Sequence, residues 1–231
     1  MADKTPIDAD TQLIDSGPRM SVWAVVVAAG SGARFGTLKQ YEQLGDRRVL
    51  DWALERTRAV AEGVVLVVPP ERAGESESGV DAVVAGGETR AGSVRAGLAA
   101  VPDEVEVVVV HDAARPLASA ALFERVVAAV RAGADGAVPG VPVADTVKVV
   151  QDGTVTETLD RTRLVAVQTP QAFAAGALRS AHEAGGESTD DAALVEALGG
   201  RVVVVPGEAA NTKITTQHDL LVARSLIEAL A

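Results

Sequence analysis

Glycines, cations and acids gather at the ends of the Val-rich runs in this sequence. The first such cluster is Ala28-Ala29-Gly30-Ser31-Gly32-Ala33-Arg34-Phe35-Gly36, which runs on into Lys39-Gln40-Tyr41. Its glycines let backbone N–H groups close around an anion, and Arg34 and Lys39 put positive charge where negative charge would grow in a reaction. It departs from a P-loop, which requires Gly-Lys-Ser/Thr after the last glycine. It also departs from a dinucleotide fingerprint, because position 35 is Phe rather than a third glycine and the second run ends in Pro69-Pro70 instead of an acid. A Gly-rich turn with solvated charges stays open as the plainer reading.

Three more segments follow later runs. Gly86-Gly87-Glu88-Thr89-Arg90-Ala91-Gly92-Ser93 offers backbone groups to the edge of a base and a Ser93 hydroxyl, or is a plain turn with Thr89 as helix N-cap. In His111-Asp112-Ala113-Ala114-Arg115-Pro116, two small residues between an acid and a base leave room for a ligand. Asp112 could accept from ligand hydroxyls or hold Mg²⁺, a hard ion that prefers oxygen; an Asp112–Arg115 ion pair closing a loop is the alternative, and His111 reads as structural. Asn211-Thr212-Lys213-Ile214-Thr215-Thr216 places Lys213 in a short polar loop before the last helix, where an isolated lysine is ordinarily solvated.

The elements that must position these residues are legible in outline. Val22–Ala28, Val64–Val68, Val80–Val84, Val105–Val110 and Val202–Val205 read as strands buried on both faces. Helical spacing occupies Val49 to Val60, Ser93 to Ala100, Ala121 to Ala132 and Thr189 to Leu198. Strand and helix alternate, which predicts right-handed βαβ units and an α/β fold: a Rossmann-like, doubly wound, mostly parallel sheet. In such sheets ligands bind beyond the carboxyl ends of the strands, where strand order reverses. Residues Asp145 to Val150, the turn Asp152-Gly153, and Thr154 to Glu157 break the rhythm and read as a β-hairpin arm spanning about 141–166. A lone hairpin is marginal in water, so a second subunit is expected to clasp it.

Composition excludes several classes. Hydrophobic residues make up 48% and charged residues 23%, an ordinary globular balance, while 3% aromatics leave Val, Ala and Leu to build the core. A formal net charge of −11 repels nucleic acid. No apolar run reaches the roughly 18–20 residues of a membrane span. The absence of cysteine fits a cytoplasmic protein. Residues 1–20 read as a disordered polar tail without signal-peptide order, and 21–231 as one domain.

In order along the chain, Ala28 to Arg34, Lys39-Gln40, Gly86 to Arg90 with Ser93, His111 to Pro116, Asp145-Thr146-Val147-Lys148, Gln168-Thr169-Pro170-Gln171, Thr189 to Ala192 and Lys213-Ile214-Thr215 resemble the 2-C-methyl-D-erythritol 4-phosphate cytidylyltransferase family. The resemblance runs from about Val22 to the end. It departs from the family at Leu38, where Pro commonly precedes the lysine, and at Glu88, where Asp is also usual. The resemblance implies a homodimer joined through the β-arm that uses CTP, a sugar-alcohol phosphate and Mg²⁺. It further implies Arg34, Lys39 and Lys213 as catalytic cations on the triphosphate, and Ala28, Ala29, Gly30, Gly32, Gly87, Glu88, Ser93 and Asp112 around the nucleotide. Asp112, Arg115, Thr146 and Arg161 would hold the sugar phosphate, Arg161 from the partner subunit. Mg²⁺ would be carried by the triphosphate, with Asp112 as the candidate protein ligand. Ribitol 5-phosphate is an alternative acceptor; a nucleotide-binding regulator without turnover and an NAD(P)-binding module are readings from other classes.

Overall fold

The computed structural model describes residues 20–30, 32, 35–186, 188 and 190–229. The chain begins with β1 (Val22–Val27), a tiny hairpin of β2 (Gln43–Leu44) and β3 (Arg47–Arg48), and α1 (Val49–Arg58). Then come β4 (Gly63–Val68), β5 (Ala82–Ala85), α2 (Arg90–Leu98), β6 (Val107–Asp112) and α3 (Ala120–Arg131). After β7 (Gly136–Pro142) the hairpin β8 (Lys148–Gln151) and β9 (Thr154–Thr158) leaves the main sheet, and β10 (Val165–Val167) returns to it. The chain finishes with β11 (Gln171–Ala174), α4 (Ala175–Glu183), α5 (Asp191–Ala197), β12 (Val202–Pro206) and α6 (Gln217–Glu228).

The main sheet runs β10-β7-β11-β6-β1-β4-β5, and β12 also pairs with β7. Strands β1, β4, β5 and β6 are parallel to their neighbours among themselves, as are β7 and β12, whereas β10 and β11 run antiparallel. The α/β, mostly parallel expectation holds. Five strands were expected, and the sheet has eight. The overlooked β7 reads Gly-Ala-Val-Pro-Gly-Val-Pro, and its prolines and glycines hide a strand from any propensity argument. Strand β6 also reaches two residues beyond the expected Val110, so His111 and Asp112 are strand residues rather than the loop after it.

Burial follows from the alternation of side chains across each strand. On β1, Ala24 and Val26 join the cluster under α1 and α3, with Leu50, Leu122 and Phe123, while Val25 joins Val94, Leu98 and Leu178 on the opposite face. Burying each of these Val, Leu and Phe side chains stabilises the fold by roughly 1.5–3 kcal/mol. Helix α2 lies close against the sheet at Gly97, where a Cβ would stand 2.4 Å from Val25 Cγ1. A third cluster of Phe35, Leu44, Val49, Ile214, Leu220 and Ala223 fastens α6 and the loop before it to the body.

From β1 the chain steps to β4 and β5 on one side and returns as β6 on the other. Strand order therefore reverses between β1 and β6, so the crevice lies beyond Val27 and Asp112. The hairpin has its expected turn: Asp152 and Gly153 take φ of 49° and 76°, the left-handed pair that matches strand twist. The expected tail falls almost wholly outside the described residues.

Candidate functional site

A cleft of about 390 Å³ opens at that reversal point, lined by Ala28, Ala29, Gly30, Lys39, Gly87, Glu88, Ser93, Asp112 and Lys213 among others. Residues predicted from four distant segments thus line one cleft. A neighbouring hollow of about 320 Å³ shares Arg90, Asp112 and Lys213 and adds Arg115, Gln168, Thr169, Gln171 and Asp190. Asp112, Arg90 and Lys213 form the partition between the two.

The first wall is the turn after β1. Buried Gln40 donates from Nε2 to Ala28 O at 2.6 Å, which holds the turn open and leaves the 3-10 turn at Lys39–Tyr41 facing the cleft. Gly32 is required here: its φ is 68°, and a Cβ would sit 1.8 Å from Thr37 O. Arg34 lies outside the described residues.

The second wall is the start of α2, where Thr89 caps the helix by accepting from Gly92 N at 3.0 Å. The Thr89 N-cap offered by the sequence is therefore observed, and the helix starts at Arg90 rather than at Ser93, where helical spacing was read, so both residues lie inside it. Ser93 is buried and its hydroxyl already donates to Thr89 O at 3.0 Å.

At the third wall Asp112 ends β6. Burial opposes its ionisation, but Arg90 and Lys213 outweigh it and hold the carboxyl well below the usual range. Lys213 Nζ lies 2.6 Å from Oδ2 and Arg90 Nε 3.4 Å from Oδ1. The Asp112–Arg115 pair does not form. Arg115 instead donates from Nη1 to Asn211 O at 2.8 Å, tying its loop to the one that carries Lys213.

His111 is structural, as expected. Its Nε2 lies 3.2 Å from Arg115 O, which only accepts, so Nε2 carries the proton and Nδ1 accepts from the Thr169 hydroxyl at 3.2 Å. Thr169 in turn accepts from Asp112 N at 3.0 Å. Burial pushes His111 down to about 4, so the ring stays neutral near pH 7.

Lys213 owes its place to its neighbours. Ile214, fully buried, donates its N–H to Ala114 O at 2.8 Å, and the Asn211 side chain donates to Thr169 O at 2.9 Å. Gln168 reaches Glu208 O at 2.8 Å from the opposite side of that loop. The sequence assigned no role to Gln40, Gln168 or Asn211, because a buried amide bonding backbone looks like any polar residue in a string, nor to Arg90, whose carboxylate partners Asp112 and Asp191 lie 22 and 101 positions away.

Thr146 and Arg161 line neither hollow. Both are exposed at the base of the hairpin, and the Arg161 guanidinium donates to Ala144 O. Within one chain the structure does not bring them to the site.

Over residues 22–229 the sequence matches the family model described as IspD: 2-C-methyl-D-erythritol 4-phosphate cytidylyltransferase. The chain belongs to that cytidylyltransferase family. A relative of this name from Rhodococcus opacus (strain B4) is 48% identical over 219 residues, covering 91% of this chain and 96% of that protein. A protein named bifunctional enzyme IspD/IspF from Nitratidesulfovibrio vulgaris (strain DP4) is 48% identical over 225 residues; the match covers 87% of this chain and 57% of that protein. The chain thus spans little more than half the length of this bifunctional relative. The crystal structure of the cytidylyltransferase from Thermus thermophilus superposes with a TM-score of 0.76 at 36% identity, covering 88% of this chain and 98% of that one. Membership in this family accounts for the order of the motifs, and the sheet accounts for their convergence.

Proposed function

We propose that this protein transfers a cytidylyl group from CTP to 2-C-methyl-D-erythritol 4-phosphate, a step of non-mevalonate isoprenoid precursor synthesis. The observation that carries the reading is the meeting of Lys39, Lys213 and Asp112 around one cleft at the strand-order reversal. In the reaction an oxygen of the acceptor phosphate bonds to the α-phosphorus, the α–β bridging P–O bond breaks, and pyrophosphate leaves. The products are 4-diphosphocytidyl-2-C-methyl-D-erythritol and pyrophosphate. An acceptor phosphate is already an anion near pH 7, so no general base is required, and buried neutral His111 is not asked to be one.

Lys39, Lys213 and Arg34 are assigned to the triphosphate, where fixed cations stabilise charge that develops on phosphoryl oxygens. Ala28, Ala29, Gly30, Gly32, Gly87, Glu88 and Ser93 are assigned to cytidine, and Asp112 and Arg115 to the acceptor side. The described residues contain no group of three or more acids or histidines able to cage a metal. That donor set suits Mg²⁺ carried by the triphosphate, with Asp112 the candidate protein oxygen; the ion would supply neutralising charge to the phosphate oxygens.

Homodimerisation through the hairpin is part of the proposal. Val150 and Val155 face each other across the hairpin and are 56% and 54% exposed, an apolar pair without cover in one chain. Thr146 and Arg161 would then serve the partner's acceptor site. A cytoplasmic location accords with the cysteine-free sequence, and no helix among the described residues is long and apolar enough to cross a membrane.

The deciding experiment is pyrophosphate release from CTP with 2-C-methyl-D-erythritol 4-phosphate and, in parallel, with ribitol 5-phosphate. Release with the first acceptor supports the reading. Release with ribitol 5-phosphate alone replaces the acceptor, and nucleotide binding without release makes the protein a regulator.

A further inference from the structure

Behind the cleft lies a line of buried charge that the transfer chemistry leaves unexplained. Arg90 is the first residue of α2, where the positive end of the helix dipole disfavours a cation. It is nonetheless held there, largely buried, because its guanidinium bridges two carboxylates: Nε lies 3.4 Å from Asp112 Oδ1 and Nη1 2.6 Å from Asp191 Oδ2. Asp191 opens α5 and its side chain is 1% exposed. Its second oxygen, Oδ1, accepts from His182 Nε2 on α4 at 3.1 Å. The His182 Nδ1 is buried and meets no partner among the described residues, so the bond to Asp191 is the polar contact that orients the ring. A sequence of contacts therefore runs from His182 through Asp191, Arg90 and Asp112 to Lys213.

The chemistry gives this line a purpose. Lys213 is paired with Asp112 at 2.6 Å. For Lys213 to move onto a triphosphate, Asp112 must lose that partner, and a buried carboxylate left without a cation is strongly disfavoured. Arg90 is the second cation on Asp112 and can take over only if its fork stays aimed. Its aim is set from behind, by Asp191, and Asp191 is set by His182.

We propose that His182 and Asp191 are positioning residues that hold Arg90 on Asp112, so that Lys213 is released to the phosphates of the nucleotide. The inference rests on the cytidylyltransferase reading above. It concerns residues from α4 and α5 that line neither hollow of the site, and it accounts for the second acid of Thr189-Asp190-Asp191: Asp190 caps α5 by accepting from Ala192 N at 3.3 Å, leaving Asp191 for the ion network.

The test is a mutant cycle on pyrophosphate release from CTP and 2-C-methyl-D-erythritol 4-phosphate, with each variant's folded fraction and thermal midpoint measured alongside. Asp191→Asn should lower kcat about tenfold, with a smaller change in KM for CTP, within the coupling range of residues sharing one network. In a Lys213→Ala background the same substitution should cost less than about twofold, because its effect passes through Lys213. A structural role alone would give the same loss in both backgrounds, and that result overturns the proposal. If Asp191→Asn does not fold, the His182 pair decides: His182→Gln, which keeps a donor, should remain near the wild-type rate, while His182→Leu should lose roughly what Asp191→Asn was expected to lose. Equal rates for Gln and Leu overturn it. Wild-type protein that releases no pyrophosphate would defeat the functional reading itself, an outcome separate from an active enzyme with additive effects.

Discussion

Lys213 Nζ lies 2.6 Å from Asp112 Oδ2, although 101 positions separate the two residues in the chain. One sits on a loop pinned by buried Ile214, the other at the tip of a valine-rich strand, and the sheet brings them together at its reversal point. The contact means that the cation assigned to the triphosphate is paired with the acid at the base of the cleft.

Replacing either cleft lysine should slow the chemical step. Lys213→Ala and Lys39→Ala are each expected to lower kcat by roughly 10²-fold or more, the scale for removing one preorganised charge stabiliser. Single-turnover measurement with saturating CTP checks this. Near-normal rates in both variants would remove the lysines from the catalytic assignment.

Arg161 should behave differently, because its proposed contact is with the acceptor phosphate in ground and transition states alike. Arg161→Ala is expected to raise KM for 2-C-methyl-D-erythritol 4-phosphate by a larger factor than it lowers kcat. An unchanged KM counts against Arg161 as a ligand of the acceptor.

The hairpin should decide assembly. Wild-type protein is expected to sediment as a dimer at micromolar concentration. A Val150→Asp, Val155→Asp double variant, which places like charges on facing positions of β8 and β9, should shift it toward monomer. Acceptor turnover should fall with the dimer, since Thr146 and Arg161 would be withdrawn from the partner's site. A monomeric wild type sinks the arm's proposed role.

Acid should destabilise the fold partly through His111. Its value falls from 6.5 in the unfolded chain to about 4 when folded, so between those values the unfolded state binds more protons. Its favourable contribution is complete above pH 6.5 and is lost as pH falls toward about 4, by up to ~3 kcal/mol at about 1.36 kcal/mol per unit. Asp112, whose folded value is depressed, adds a further loss below its ordinary 3.8. Thermal midpoints measured across that range should slope less steeply for His111→Asn than for wild type. Parallel slopes would place the acid sensitivity elsewhere.

Much of this was present in the sequence. Valine runs buried on both faces can hardly be anything but strands of a helix-covered sheet, and the Asp152-Gly153 turn specified its hairpin, because both features act locally through sterics and side-chain alternation. Lys39, Asp112, Arg115 and Lys213 stood out in the sequence by residue type and by their place after the Val-rich runs, but their roles stayed open there; the sheet then brought Lys39, Asp112 and Lys213 to one cleft. Strand β7 stayed hidden because its prolines and glycines weaken every local strand signal, and pairing with β10, β11 and β12 is what makes it a strand.

Which partners the charges chose was decided only by tertiary structure. Arg115, three residues from Asp112, turns to Asn211 O, while Arg90, 22 residues away, and Lys213, 101 away, take the carboxylate. Electrostatic attraction depends on distance in space and on burial, and neither is a property of sequence separation. The chain order supplied the charged groups; the sheet, by reversing its strand order between β1 and β6, determined which of them could meet.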